Sequence, residues 1–265
     1  MSDPLSRLAQ LPEVTDELAA ARTAVDSLLW DRGARARGRG LATESTLLGA
    51  WADAAFEGGE VPQDSLRTGV VEDSPVGRMA ARTLAMYAEI PVSADLVRTA
   101  PMQVFARLHA IVAVDASEQP GRPRSSDEVV DPLRLRTAVP AQESVDRLRA
   151  LGRLLTGGTA APALAVAAIA HAEIAVTQPF EWGSGLVARA CSRLVMRAWG
   201  VDPDGWSIPE AGLRMLGRPK YVAALRGYAS GEVTGVTQWL TIHSQAVAAG
   251  ARAAVELSAD LPPDD

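Results

Sequence analysis

The fold turns on Thr177–Ala190, TQPFEWGSGLVARA, where a helical pattern breaks at Pro179, passes through Phe-Glu-Trp-Gly-Ser-Gly and resumes as a second helix. Gly183-Ser184-Gly185 ahead of a helix presents unpaired backbone N–H groups at the positive end of the helix dipole, an arrangement that binds anions without side-chain chemistry. Glycine tolerates the positive φ and close approach such a cradle needs. Ser184 equally suits a simple helix cap through its hydroxyl, so spacing alone leaves both readings open.

Upstream, Ala160–Val176 is apolar nearly all round, the mark of a helix buried at the centre of a bundle. The loop from Gln178 to Gly183 therefore leaves from the core, where a scaffold holds a site most rigidly. Apolar periodicity predicts helices over 14–31, 41–56, 76–89, 101–115, 141–156, 160–177, 184–199, 219–229 and 233–257. The fold class is mainly α. Asp115–Pro140 interrupts it with Pro, Gly, Ser and charges, and its EVV and LRLRTAV runs suggest a short β-hairpin flap at 122–140. A flap is preferred to a linker, because Met1–Val114 has no self-sufficient core pattern. The polar, proline-broken SADLPPDD tail is expected to be disordered.

The chain has 265 residues, 48% of them hydrophobic, enough for a sizeable core. A formal charge of −6 excludes a general affinity for nucleic acid. The cluster Arg32, Arg35, Arg37 and Arg39 lacks interleaved aromatics and reads as a solvated face or helix end. Cys191 has no partner cysteine and falls among apolar neighbours, as core filler. No apolar run reaches a membrane span, and the N-terminus lacks a secretory pattern, so a cytoplasmic protein without membrane association is expected.

The loop resembles the signature of the Fic (Fido, or Fic/Doc) family, H-x-F-x-[D/E]-G-N-G-R-x-x-R. Here it stands as Gln178-Pro179-Phe180-Glu181-Trp182-Gly183-Ser184-Gly185-Leu186-Val187-Ala188-Arg189, with Phe180, both glycines and Arg189 in register. His171 lies seven residues before the first motif position, where many members carry histidine. VFARLHAIVA and PGRPR are similar to the family's LH helix and its G-x-x-R entry to the flap. The resemblance covers roughly residues 41–250. It implies an N-terminal helical extension at 1–40, a Fic-like domain at 41–255 and an acidic tail at 256–265.

The departures imply lost chemistry. In the family the first histidine takes the target hydroxyl's proton during AMP transfer; the residue here is Gln178, whose amide accepts no proton near neutrality. The metal-holding acid position is Trp182, the Asn position Ser184 and the first Arg position Leu186. Glu181 is the candidate replacement acid. Arg189 retains the position that meets distal phosphates, although Arg193 and Arg197, each four residues on, also give it the reading of a solvated arginine stripe. The family's restraining helix carries [S/T]-x-x-x-E-[G/N]; its counterpart is sought in ATESTLLGA, where Leu48-Gly49 replaces Glu-Gly and the restraining carboxylate is missing.

These readings lead to a Fic-like pseudoenzyme with no catalytic residue, binding a nucleotide, another phosphate-bearing ligand or a protein partner. Gly183, Ser184, Gly185 and Arg189 are the binding set. No cofactor or metal is expected beyond residual nucleotide, and loss of the acid position argues against Mg²⁺. A protein partner would dock at the flap, with a homodimer as a further arrangement. The alternative is altered phosphate-group transfer using Glu181, Asp127, Glu128 or Asp131 as base. His109, His171 and His243 have no catalytic support.

Overall fold

A computed structural model describes residues 3–264; Met1, Ser2 and Asp265 lie outside the described residues. Among those described are fourteen α-helices and no strand. The first half contains α1 (Pro4–Ala9), α2 (Pro12–Trp30), α3 (Arg32–Arg35), α4 (Gly38–Phe56), α5 (Gln63–Thr68), α6 (Pro75–Ala88), α7 (Ile90–Ser93) and α8 (Pro101–Val112). After an irregular crossing come α9 (Ala141–Gly157), α10 (Ala163–Thr177), α11 (Ser184–Ala198), α12 (Pro209–Leu216), α13 (Arg218–Ala229) and α14 (Val233–Ala259). Every helix the periodicity predicts is present. Those it does not announce, α1, α3, α5, α7 and α12, span eight residues or fewer, too short to display a 3.6-residue period.

The apolar helix α10 is the buried centre, packed by α9, α11, α13 and α14. Trp239 on α14 donates its indole N–H to the Ala168 carbonyl at 2.7 Å and so pins the two helices. Helix α2 runs along α14, adding Val14, Leu18, Ala21, Val25 and Leu28 to the same core. At the crossing of α12 with α14 the backbones meet: a Cβ on Gly212 would stand 1.9 Å from the Ala246 carbonyl oxygen. No helix among the described residues is long and apolar enough to cross a membrane.

Two expectations are corrected. The hairpin at 122–140 does not form, because its backbone groups bond elsewhere. Arg134 and Arg136 adopt positive φ, 54° and 56°, which breaks an extended strand. The Asp131 carboxylate accepts from the Leu135 and Arg136 amides at 3.0 and 2.8 Å, and Arg226 donates to the Arg134 and Leu135 carbonyls. The segment is an irregular strap.

The tail is helical to Ala259, and the described residues beyond are docked. The Asp264 carboxylate accepts from the Arg39 and Gly40 amides at 2.8 and 3.2 Å, at the amino end of α4. An acid there meets the positive end of the helix dipole. Arg37, from the cluster read as a solvated face, donates to the Leu261 and Gly33 carbonyls.

Candidate functional site

The loop leaves α10 through Gln178, whose φ of 47° places it in the left-handed region as the C-cap. Phe180 is buried and stacks on His109 of α8 with ring centroids 3.9 Å apart. His109 holds two neighbours: Nδ1 accepts from the Gly121 amide at 2.9 Å, which leaves Nε2–H to donate to the Trp182 carbonyl at 3.1 Å. Burial pushes this imidazole down to about 4, against the pull of the Trp182 carbonyl, so it is neutral at physiological pH. Arg124, the last residue of PGRPR, completes the support. Its guanidinium donates to the Gln178, Thr177, Val139 and Ser126 carbonyls, and its amide to that of Pro179 at 2.9 Å.

Gly183, at φ 76°, turns the chain into α11. Ser184 Oγ donates to the Phe180 carbonyl and accepts from the Phe180 amide, both at 3.1 Å. Its side chain therefore closes the loop and does not face a ligand. The amides of Ser184, Gly185 and Leu186 donate to no protein group among the described residues, so the donors of the backbone cradle are unspent. Helix α11 is buried along most of its length, and this decides against the solvated-stripe reading of Arg189.

Arg189 is 1% exposed, and its guanidinium is boxed by carboxylates and rings. Nε donates to Asp53 and Nη2 to Glu57 at 2.5 Å, while Nη1 donates to Tyr221 Oη at 3.1 Å. The Phe56 and Tyr221 rings lie 5.3 and 5.9 Å from its Cζ. Burial works against the charge, and Asp53, Tyr221 and Glu57 outweigh it, holding Arg189 above its ordinary value. Burial pushes Asp53 up to about 7, aided by Glu210 and Glu57 and opposed by Arg189.

A carboxylate from this helix thus does meet Arg189, where the sequence reading expected none. The matching residues are Asp53-Ala54-Ala55-Phe56-Glu57-Gly58, whose Glu-Gly pair lies nine residues beyond the Leu48-Gly49 pair chosen from sequence, with Asp53 at the Ser/Thr position. Local structure explains the Glu-Gly pair. Gly58 takes φ 92° and ends α4, with the Gly59 amide on the Ala54 carbonyl and the Gly58 amide on that of Ala55, a Schellman closure that leaves Glu57 as C-cap. From there the Glu57 carboxylate lies over the start of α11. A Cβ on Gly185 would stand 2.2 Å from Glu57 Oε1 and 3.2 Å from Arg189 Nη2.

The space left over the cradle is about 10 Å³, room for a single water, lined by Glu57, Gln178, Ser184 and Gly185 and roofed by Leu133 and Leu135 of the strap. Gln178 is 4% exposed, and its carboxamide oxygen, on the edge of this space, has no protein partner. Trp182 is elsewhere, in a separate depression of about 120 Å³ with Met79, Val112 and Ala116, and Leu186 is core. Neither is the plug.

Of the remaining acids only Asp131 lines the space over the cradle. Glu181 is exposed, and its carbonyl accepts from the Val130 amide. Asp127 caps α9 through the Ala141 amide, Asp131 holds the strap, and Glu128 is exposed. His171 bonds Tyr221 Oη at 2.8 Å and His243 bonds Ser192 Oγ at 2.7 Å, both buried and both pushed down by burial, His243 to about 3. Sequence reasoning missed Asp53, Glu57 and Tyr221, of which only the Glu-Gly pair at 57–58 carried a readable signal; it noted His109 in the LH helix without assigning it a role.

No family model and no curated protein matches the chain. Solved structures do. A Fic family protein from Desulfovibrio desulfuricans G20 aligns over 95% of this chain and 77% of its own, with a TM-score of 0.77 at 17% identity. Fic-1, residues 134–508, from C. elegans aligns over 92% and 73%, with a TM-score of 0.70 at 20% identity. A Fic domain containing signaling protein from Bacteroides thetaiotaomicron VPI-5482 aligns over 94% and 100%, with a TM-score of 0.64 at 13% identity. The chain has the Fic fold.

Proposed function

We propose that this Fic-fold chain is a pseudoenzyme that binds an anionic ligand at the α11 cradle and performs no AMP transfer. The observation that carries the reading is Glu57, which sets its carboxylate over Gly185 and on Arg189 as an internal stand-in for that ligand. Binding requires Glu57 to leave. A nucleotide or another phosphate-bearing group fits the backbone donors and Arg189, and the strap is the surface a protein partner would meet. The transfer chemistry lacks its parts: Gln178 cannot act as base, Trp182 cannot hold a metal, and Glu181 is turned to solvent. A cytoplasmic setting belongs to the same proposal.

Calorimetric titration with AMP, ADP and ATP, with and without Mg²⁺, tests it on the native chain, Glu57→Ala and Glu57→Ala/Arg189→Ala. Glu57→Ala should bind at least about tenfold more tightly than native, a gain of ~1.4 kcal/mol, and removal of Arg189 should reverse it. Equal binding by native and Glu57→Ala would overturn the plug. Nucleotide-dependent labelling of any protein, lost in Gln178→Ala or Glu181→Ala, would return the chain to the transferases.

A further inference from the structure

We infer that Asp53 sets the charge of the ligand: when ionised it holds one side of Arg189, so the cradle accepts one anionic group in place of the Glu57 carboxylate and discriminates against polyphosphates. This inference rests on the proposed binding at the cradle.

Arg189 faces two carboxylates, Asp53 and Glu57, four residues apart at the end of α4. The two differ in their freedom to leave. Glu57 follows the last helical residue, next to the turn at Gly58, and lines the cavity that opens toward the strap. Asp53 lies within the helix, is 0% exposed and sits between buried Ala50, Ala52 and Ala54. An entering anion can displace Glu57 by rotating a terminal side chain. Displacing Asp53 would require moving α4 itself, which packs on α6 and α12.

When Glu57 swings out, Arg189 therefore keeps Asp53 on Nε and offers only the Nη2 edge. With Asp53 ionised the positive charge is already balanced, so what remains for the ligand is one donor edge and the amides of Ser184, Gly185 and Leu186. The cavity lining holds no basic side chain, and Asp131 adds a further carboxylate. A single phosphate or carboxylate group replaces Glu57 one for one. A chain of phosphates brings extra negative charge to a place with no cation left for it, at low dielectric, where such imbalance is costly.

The test is calorimetry at about pH 8, where Asp53 is ionised, on Glu57→Ala, Glu57→Ala/Asp53→Ser and Glu57→Ala/Asp53→Asn, with AMP and ATP in the absence of metal. Glu57→Ala should bind the two within about threefold of each other. Both double variants should prefer ATP by about tenfold or more, because Arg189 then lacks a fixed counter-ion. The Asn variant keeps the side-chain shape should Ser weaken the fold, and thermal melting with each nucleotide gives a second readout. A tenfold ATP preference already present in Glu57→Ala, or a ratio unchanged by either Asp53 substitution, overturns the inference while leaving the binding reading intact. No binding by any of the three brings down that reading as well.

Discussion

Two buried arginines one turn apart on α11 have opposite surroundings. Arg193 has a single carboxylate, Glu210 at 3.2 Å, and otherwise bonds neutral groups: Ser45 Oγ at 2.5 Å, the Ser45 carbonyl at 3.2 Å and the Gly205 carbonyl at 2.8 Å. One positive and one negative charge cancel, and both terminal nitrogens are bonded. Arg189 has two carboxylates, one of them at the end of its helix, next to a cavity and unbonded helix amides. A balanced buried ion ties helices together. An over-balanced one beside a cavity holds something in reserve, and the extra carboxylate marks where a ligand enters.

The largest effect that would sharpen this contrast is expected at the balanced site. Arg193→Met strands Glu210, which is 2% exposed, and should cost about 3–5 kcal/mol in urea unfolding. A loss below ~1 kcal/mol would mean that Arg193 is no tie, and the comparison would fail.

Asp53 gives the next test. Its folded value of about 7 lies above the ordinary 3.8, so the native chain binds a proton there that the unfolded chain has released. Its contribution is fully present below about 4 and is lost as pH rises to about 7, at ~1.4 kcal/mol per pH unit. The stability difference between native and Asp53→Asn should follow that fall and flatten above 7. The subtraction removes the opposite trend of the three buried histidines, which favour folding as pH rises because all are pushed down. A flat difference curve from pH 4 to 8 would place the surplus charge elsewhere.

The smallest effect concerns contact alone. Gly185→Ala forces Glu57 Oε1 to move from 2.2 Å and should cost about 1–2 kcal/mol. In a Glu57→Ala background the same change should cost almost nothing. Additive losses in the double-mutant cycle would show that Glu57 does not fill the cradle.

Long periodic helices and the loop were legible because they obey local rules: 3.6-residue spacing, a proline break and paired glycines. The strap was misread because EVV and LRLRTAV have strand-like composition, whereas its conformation is set by distant partners such as Arg218, Arg226 and the loop carbonyls. Glu57 was overlooked for a related reason. A Glu-Gly pair can close any helix, and only packing shows that this one ends against Arg189. The roles of Gln178 and Trp182 were readable as losses, but that Trp182 turns away from the cradle depends on the depression beside α6 and α8.

Helix α4 is a rod of 19 residues, about 28 Å long at 1.5 Å per residue. One end carries the Glu57 plug, and the other receives the Asp264 carboxylate. Whatever grips Asp264 also grips the rod. For the experimentalist this becomes a rule of handling: a substitution or fusion near Asp264 disturbs the anchor of the element whose position the titrations are meant to read.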